Sequence, residues 1–358
     1  MLLNNICVLF GGKSSEFYVS CNSAYTIIRS IPREKYRVIP VGITQQGDWF
    51  LYEDSIDLLP DAKWLLSDKK SPAAFVTNSA FPGLTVFRGE GTEQIPVDAV
   101  FPVLHGKNGE DGTVQGLLDM LEIPYVGCGM LSSAMAMDKS YTKMAVDTLG
   151  ISQAPYVLLT AKNTPEEQNE RLERAEREFG FPVFVKPCKA GSSCGVSKAK
   201  NAEELRKAVQ EAFRFDTKVL VEKAIVGREL ECAVLDDGTL FASRVGEILV
   251  TAEFYSYDAK YADASSRTDI SPVVPEEKVQ EIRDAACRIF RVLDGRGLAR
   301  VDFFLEKGTD RVIFNEINTL PGFTNISMYP MLMDQAGIPL PELTDRLIRA
   351  ALSESICR

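Results

Sequence analysis

Two segments near the carboxyl end of the chain carry charged side chains within otherwise apolar strands. LARVDFFLE contains Arg300 and Asp302, and RVIFNEIN contains Glu316 and Asn318. Because successive side chains of a strand point to opposite faces, each pair lies on one face of its strand. The intervening KGTD predicts a hairpin, and a five-residue loop centred on Thr309 would place Asp302 opposite Glu316 and Arg300 opposite Asn318.

Opposed carboxylates on neighbouring strands repel each other unless a cation lies between them. Two carboxylates and an amide, with no histidine or cysteine, are hard oxygen ligands of the kind that Mg²⁺ or Mn²⁺ carrying a polyphosphate prefers. The sequence therefore predicts a metal site at Asp302, Glu316 and Asn318. The competing interpretation is a surface ladder whose carboxylates are balanced by Arg300.

Two further stretches have residues suited to a nucleotide. KAGSSCG lies between predicted strands, and its small residues expose backbone N–H groups that can cover phosphates, with Lys186 just upstream. A hairpin without function is equally compatible with this loop alone. In VEKAIVGRE the end of a strand can offer backbone groups to adenine, and Glu222 or Glu229 can bind ribose hydroxyls. Ordinary surface glutamates are the simpler interpretation of that stretch by itself.

A segment of about twenty residues, Thr251–Ser271, contains four aromatic residues and no clear period. Long structureless segments within compact domains are often lids over active sites. If this one is a lid, we expect Lys260 and Tyr261 to face inward.

Composition excludes several other kinds of protein. The net charge of −10 argues against nonspecific nucleic-acid binding. The eight cysteines form no C-x-x-C pair, which disfavours a zinc site or a disulfide framework. The only histidine is His105, so a triad enzyme would have to use it as the base. G-x-G-x-x-G is absent, which disfavours a nicotinamide dehydrogenase. No apolar run approaches the roughly 18 residues of a membrane span, and we expect a cytoplasmic protein without a membrane partner.

The elements that position these residues predict an α/β fold. Strands NNICVLF, YRVIPVGI, VDAVFPVLHG and IPYVG, with helices between them, indicate a first unit with a mostly parallel sheet. The stretch Asp48–Glu93 is predicted to be irregular and peripheral. A second unit follows from MDKSYTKMAVDTLG to KVLVEKAI, and a third, antiparallel unit begins after Gly227 with a D-D-G hairpin turn. We place the domains at residues 1–136, 137–227 and 228–358.

Taken together, the motifs resemble those of the D-alanine–D-alanine ligase family, which has the ATP-grasp fold. GGKSSE with VS, LHGKNGEDGT, MDK, VKP with GSSCG, VEKAIVGRE, DAKY, ARVD and NEINTLPGFT occur in the family's order over nearly the whole chain. The resemblance implies three domains, α/β in the first and α+β in the ATP-binding part, and a homodimer formed through the first domain.

The resemblance implies a site for ATP and two Mg²⁺ or Mn²⁺ ions between the second and third domains. Lys139 and Lys186 would contact phosphates, with Ser192 and Ser193 in the covering loop. Asp302, Glu316 and Asn318 would bind the metals, with Glu316 bridging them. The remaining nucleotide contacts implied are Glu222, Lys223, Ile225, Glu229 and Phe304, of which the strand end reads adenine and Glu229 takes the ribose.

The resemblance also implies roles around the amino-acid substrates. Glu16 would bind the ammonium of the first D-alanine, and His105 would help to position this substrate, although a histidine that caps the following turn remains an alternative. Arg300 and the Gly322 N–H would stabilise the oxyanion. The other implied roles are the carboxylate of the second substrate for Ser327 and Met328, the transferred phosphoryl group for Lys260, and lid closure for Tyr261 and Ser192 with Glu16.

Some positions depart from the family pattern. Tyr18 replaces the second glutamate of S-x-E-x-E-V-S, and Ser256, Asn325 and Ile326 are also unusual. These departures leave the choice of second substrate open. Tyr261, where D-lactate ligases tend to have histidine, argues against a depsipeptide product.

PVGITQQGDWF and FPVLHGKNGEDGT also resemble VanG-type D-alanine–D-serine ligases, whereas Met328 in place of an arginine favours D-alanine. The predicted product is D-alanyl-D-alanine for peptidoglycan precursors, made through D-alanyl phosphate, with D-alanyl-D-serine as the alternative. An ATP-binding protein without catalysis is disfavoured by the retained lysines and metal ligands, and a ligase for other amino acids by Glu16 with the KY lid.

Overall fold

Three β-sheets follow one another along the chain. The computed structural model describes residues 3–191, 194–249 and 267–354. Its mixture of sheets and helices confirms the predicted α/β class. In the described part of the chain, no helix is long and apolar enough to cross a membrane.

The first sheet has seven strands in the order β6-β5-β4-β3-β2-β1-β7. Its elements are β1 (Asn4–Gly11), α1 (Phe17–Ser30), β2 (Tyr36–Ile43), β3 (Trp49–Tyr52), β4 (Lys70–Phe75), β5 (Leu84–Arg88), β6 (Gly91–Ile95), β7 (Ala99–Val103), α2 (Thr113–Met120) and α3 (Met130–Met137). Strand β1 pairs in parallel with β2 and β7, and the glycine turn at its end leads into α1.

Three predictions for this unit are wrong. The sheet is not mostly parallel, because β2 to β6 pair with their neighbours in antiparallel fashion through short connections that leave no room for a crossover helix. The stretch Asp48–Glu93 is not irregular and peripheral either. It holds β3 to β5, most of β6 and two short 3₁₀ helices, and its Trp64 is fully buried against Phe10. The predicted strand IPYVG forms only an isolated bridge at Tyr125.

The second sheet has four antiparallel strands in the order β10-β9-β11-β8. Its elements are α4 (Lys139–Asp147), β8 (Tyr156–Thr160), α5 (Pro165–Phe179), β9 (Val183–Pro187), β10 (Ser197–Ala199), α6 (Ala202–Ala212) and β11 (Lys218–Lys223). A capping box between Thr164 and Glu167 begins α5, and Asn201 caps α6. The KAGSSCG segment joins β9 to β10, as predicted.

The third sheet has five antiparallel strands in the order β14-β13-β12-β15-β16, which confirms the antiparallel prediction for this unit. Its elements are β12 (Gly227–Asp236), β13 (Leu240–Leu249), β14 (Arg267–Asp269), α7 (Glu276–Val292), β15 (Gly297–Glu306), β16 (Val312–Asn318), α8 (Met328–Gln335) and α9 (Leu340–Glu354). A single apolar core joins α1 and β1 of the first unit to α8 and α9 of the third. The first and third sheets are therefore held in a fixed relation around the segment that follows β16.

Candidate active site

The hairpin β15–β16 brings the four predicted polar residues onto one face. Asp302 lies opposite Glu316, and Arg300 lies opposite Asn318, as the sequence predicts. The predicted loop length is wrong, however. Leu305 already pairs with Val312, and the Glu306 N–H donates to the Arg311 carbonyl at 3.0 Å, so four residues form the loop.

A bulge in β16 compensates for the shorter loop. Phe303 pairs with Phe314 and Asp302 with Glu316, so Asn315 is the extra residue between the two pairs. The bulge restores the predicted register at the polar residues. It also brings the Asn315 amide oxygen to 3.4 Å from the Nζ of Lys186 in the second sheet. The same irregularity thus aligns the hairpin residues and joins the two sheets.

The hairpin residues form part of a charged row across three strands. Glu231 of β12 pairs with Asp302, which pairs with Glu316, so three carboxylates lie side by side. Arg300 donates two hydrogen bonds to Asp302, at 2.8 and 2.7 Å, and its Nε lies 3.1 Å from Glu231 Oε2. Burial lowers the pKa of Arg300, but Asp302 and then Glu231 raise it well above the ordinary value. Arg300 therefore remains a cation in this setting.

The donors on this face suit an oxygen-ligated divalent cation. Asn318 Oδ1 is buried and has no hydrogen-bond partner in the described part of the chain. Glu316 is the most accessible of the carboxylates, with 34% of its side chain exposed, and its Oε2 lies 3.9 Å from Lys139 Nζ. Among the described residues, no group of three or more histidine, cysteine, aspartate or glutamate side chains is placed to hold a metal. A metal here would therefore depend on the Asn318 amide as well as on Asp302 and Glu316.

Two predicted phosphate ligands approach the hairpin from the second unit. Lys139 begins α4, which Asp138 caps, and its Nζ donates to the Ala190 carbonyl at 3.0 Å in the KAGSSCG loop. Lys186 lies on β9, and its Nζ is 2.7 Å from Glu222 Oε2. Burial lowers the pKa of Lys186, but Glu222, followed by Glu316 and Glu229, raises it above the ordinary value. Lys139 thus lies beside the KAGSSCG loop, and both lysines lie beside the polar face of the β15–β16 hairpin.

Glu222 is the centre of a buried ion triad that the sequence analysis missed in part. Its Oε1 lies 2.9 Å from the Nζ of Lys143, and its Oε2 contacts Lys186. Only 4% of Glu222 and 3% of Lys143 are exposed. Burial raises the pKa of Glu222, but the two ammonium groups lower it to about 2. The Glu222 side chain is thus committed to the two lysines. Lys143 follows Lys139 by four positions on α4, a spacing that could have indicated it.

Two backbone N–H groups of the predicted adenine edge already have partners. The N–H of Lys223 donates to the Pro155 carbonyl at 2.9 Å and that of Ala224 donates to the Pro182 carbonyl at 3.3 Å. If adenine binds along this edge, its N–H donor would be Ile225 or a later residue. Further along, Glu229 pairs with Phe304 across β12 and β15. Glu229 also raises the pKa of Lys186, so its carboxylate lies near that lysine.

Glu16 lies between the first unit and the KAGSSCG loop. It precedes α1 and is 8% exposed. A Cβ at Gly106 would be 2.6 Å from Glu16 Oε2, and a Cβ at Gly191 would be 3.2 Å from the same atom. Glycine at these two positions allows the HGKNG and KAGSSCG loops to reach the carboxylate. The predicted residues Ser192, Ser193, Lys260 and Tyr261, together with Ser256, lie outside the described residues.

His105 holds the segment after β16 against the first unit. It is 4% exposed, with Nδ1 3.0 Å from the Leu320 carbonyl and Nε2 3.1 Å from Ser23 Oγ. Burial lowers the pKa of His105, but Glu110 and then Glu16 raise it above the ordinary value. Leu320 and Ser23 lie far from His105 along the chain, so the histidine does more than cap its own turn. Ser23, which the sequence analysis missed, also accepts the Phe323 N–H at 3.1 Å.

The predicted residues for the second substrate fall into two groups. Ser327 Oγ accepts the Thr324 N–H at 3.0 Å and would lie 2.8 Å from a Cβ at Gly322, so Ser327 and Gly322 are close together. Met328 does not expose its side chain there. It is 3% exposed and belongs to the core with Leu332 and Tyr329. The side chain of Met328 packs inward from the first turn of α8. A contact of Met328 with the second substrate would therefore involve its backbone, and this role stays a prediction.

Comparisons with known proteins cover almost the whole chain. The family model described as "D-ala D-ala ligase N-terminus" matches residues 5–128, and the one described as "D-ala D-ala ligase C-terminus" matches residues 145–349. A D-alanine--D-alanine ligase of Caldicellulosiruptor bescii is 48% identical over 98% of this chain and 95% of its own length. One of Acetivibrio thermocellus is 46% identical over 97% and 95%.

Two solved structures share the arrangement. The VanG D-Ala:D-Ser ligase from Enterococcus faecalis superimposes with a TM-score of 0.89 at 36% identity, covering 98% of this chain and 100% of that one. The D-alanine-D-alanine ligase from Coxiella burnetii gives 0.86 at 34% identity, covering 99% and 95%. Similarity thus extends over all three sheets rather than over one unit.

Proposed function

Because this chain belongs to the D-alanine–D-alanine ligase family, we propose that it joins two molecules of D-alanine in an ATP-dependent, ADP-forming reaction. It has the ATP-grasp fold of its structural neighbours. The observation that carries the proposal is the polar face of the β15–β16 hairpin, with Lys139 and Lys186 aimed at it from the second unit. Phosphoryl transfer depends mainly on positioning and charge neutralisation, which such a face can supply without a nucleophilic histidine.

In this proposal the chain's residues act in two steps. Glu16 binds the ammonium of the first D-alanine, and Lys139 and Lys186 hold the phosphates of ATP. The carboxylate of this D-alanine attacks the γ-phosphorus, which forms D-alanyl phosphate and releases ADP. The amine of the second D-alanine then attacks the acyl carbon and releases phosphate. Arg300 and the Gly322 N–H stabilise the oxyanion, and Ser327 binds the second carboxylate. The buried contacts of Arg300 with Asp302 and of His105 with Leu320 support these positions.

The remaining predicted residues complete the site. Lys223, Ile225, Glu229 and Phe304 would contact the nucleoside, with Glu222 holding Lys186 in place. Lys260 would face the transferred phosphoryl group, and Tyr261 and Ser192 with Glu16 would close the lid. Ser193 would lie in the loop that covers the phosphates. The family resemblance supports these roles, a cytoplasmic location and a homodimer through the first domain. Light scattering of the purified chain would test the dimer, with a mass of one chain as the contrary result.

We further propose two Mg²⁺ or Mn²⁺ ions, held by Asp302, Glu316 and Asn318, with Glu316 contacting both. When bound, such ions would neutralise the charge that develops on the phosphate oxygens during the transfer. Glu316→Gln should abolish Mg²⁺-dependent turnover and leave the fold intact, since the carboxylate is partly exposed. Glu306→Gln is the matched control, a carboxylate at the other end of the hairpin that pairs with Arg311. Near-normal turnover of Glu316→Gln would refute the metal assignment.

The product is tested by phosphate release with ATP, Mg²⁺ and D-alanine, alone and with equimolar D-serine or D-lactate, followed by product masses. We expect D-alanyl-D-alanine as the main product, because relatives at 46–48% identity carry that activity in their names. D-alanyl-D-serine is the second candidate, and the similarity to the VanG structure supports it. D-alanyl-D-serine as the main product would refute the first assignment. No phosphate release with any D-amino acid would refute ligase activity itself.

A further inference from the structure

Asp302 has two roles in the proposed function that compete for the same oxygens. Both of its carboxylate oxygens accept hydrogen bonds from Arg300, at 2.8 and 2.7 Å. As a metal ligand, Asp302 would have to turn at least one of these oxygens towards the ion. When a metal is bound, Arg300 would then lose at least one of its hydrogen bonds to Asp302. In the same state its guanidinium must face the oxyanion.

Glu231 contacts Arg300 from the neighbouring strand. Its Oε2 lies 3.1 Å from Arg300 Nε, and Glu231 pairs with Asp302 in the register of β12 and β15. The Glu231 side chain is 8% exposed and that of Arg300 is 15% exposed, so little water screens their attraction. In the row of carboxylates, Glu231 is separated from Glu316 by the whole of β15. It therefore lies on the far side of the proposed metal face.

We propose that Glu231 is a positioning residue that keeps Arg300 aimed at the acyl centre while Asp302 serves the metal. This inference depends on the proposed function, because it assigns Arg300 to the oxyanion. Buried partners of a functional group orient it, and their loss commonly lowers activity ~10–100-fold. Glu231 acts through Arg300 and need not touch the substrate.

The test compares Glu231→Gln with the wild-type chain in steady-state kinetics with D-alanine, ATP and Mg²⁺. We expect kcat to fall ~10–100-fold, with the KM for ATP and the Mg²⁺ requirement unchanged within about twofold. A carboxylate that merely stabilises the fold would instead lower the folded fraction and leave kcat per folded molecule unchanged. Thermal unfolding of each variant, followed by circular dichroism, separates these two outcomes, and the second one would overturn the proposal.

A double variant tests whether Glu231 acts through Arg300. Arg300→Lys alone should be slow, and adding Glu231→Gln should slow it further by no more than about twofold, because the guanidinium that Glu231 orients is already gone. Multiplicative losses would overturn the proposal. So would a raised Mg²⁺ requirement in Glu231→Gln, which would make Glu231 a metal ligand.

Glu247→Gln is the matched control for these measurements. Glu247 is also a buried carboxylate of the third sheet, and it forms a bidentate pair with Arg228. Its loss should reduce stability and leave kcat near the wild-type value. Failure of the proposed function is recognised separately, since the wild-type chain would then release no phosphate. With an active wild type, an unchanged kcat in Glu231→Gln would overturn only the inference about Glu231.

Discussion

Removal of Lys143 should destabilise the protein, because it leaves Glu222 buried with one cation in place of two. The pKa of Glu222 is set by burial, which raises it, and by Lys143 and Lys186, which together lower it from 4.5 to about 2. At ~1.4 kcal/mol for each tenfold change in proton affinity, the environment favours the ionised form by about 3 kcal/mol. Lys143→Met retains Lys186, which lies 2.7 Å from Glu222 in this structure. We therefore expect a loss of about 2 kcal/mol in the free energy of unfolding, below the ~3–5 kcal/mol of a fully broken pair.

The pH dependence follows from the same shift. The folded-state pKa of Glu222 lies below its unfolded value, so the triad stabilises the fold above pH 4.5, and this contribution is lost as the pH falls towards about 2. In Lys143→Met this part of the acid sensitivity should shrink. Urea unfolding near neutral pH and at several acidic pH values measures both effects. The affinity for ATP should also fall. Without Lys143, Glu222 attracts Lys186 more strongly, and Lys186 is then less available to the phosphates.

Two variants control for other causes. Lys143→Arg keeps the cation and should lose less stability than Lys143→Met. The double variant Lys143→Met with Glu222→Gln also takes from Lys186 its carboxylate partner at 2.7 Å, so it should be less stable than Lys143→Met alone. The reasoning would be refuted if Lys143→Met unfolds at the same urea concentration as the wild type, or if the double variant is more stable than Lys143→Met.

Two further predictions concern the contacts between the first and third units. Ser23→Ala should cost ~1–3 kcal/mol and raise the KM for D-alanine, because His105 Nε2 and the Phe323 N–H both lose a buried partner. Thermal unfolding and steady-state kinetics would check it. An unchanged KM for D-alanine would contradict the substrate-binding role proposed for the segment that follows β16. In Asp345, burial raises the pKa, but hydrogen bonds from Lys35 and Tyr36 lower it below 3.8 overall. Asp345 should therefore stabilise the fold above pH 3.8 and lose this effect as the pH falls below it. In Asp345→Asn the free energy of unfolding should depend less on pH in this acidic range, and an unchanged pH dependence would contradict this.

The hairpin shows how much of the site could be predicted from the sequence. Period-two alternation is a property of any strand, so it correctly placed Arg300 and Asp302 on one face of the first strand and Glu316 and Asn318 on one face of the second. Their register was also predicted correctly, although the loop was one residue too long. The bulge at Asn315 compensated for the residue by which the loop is shorter. No local sequence pattern predicts this bulge. The correct register was therefore reached through two deviations that cancel.

The sequence by itself determined the α/β class, the hairpins of the second and third units, and the motifs on which the family resemblance rests. These depend on local periods and turns, which neighbouring residues set. Only the tertiary structure decided that Asp48–Glu93 extends the first sheet, that Met328 packs inward, that Lys143 contacts Glu222 and that Glu231 contacts Arg300. Such contacts join segments far apart in the chain, and the free energy that selects them comes from burial and charge pairing in the assembled core.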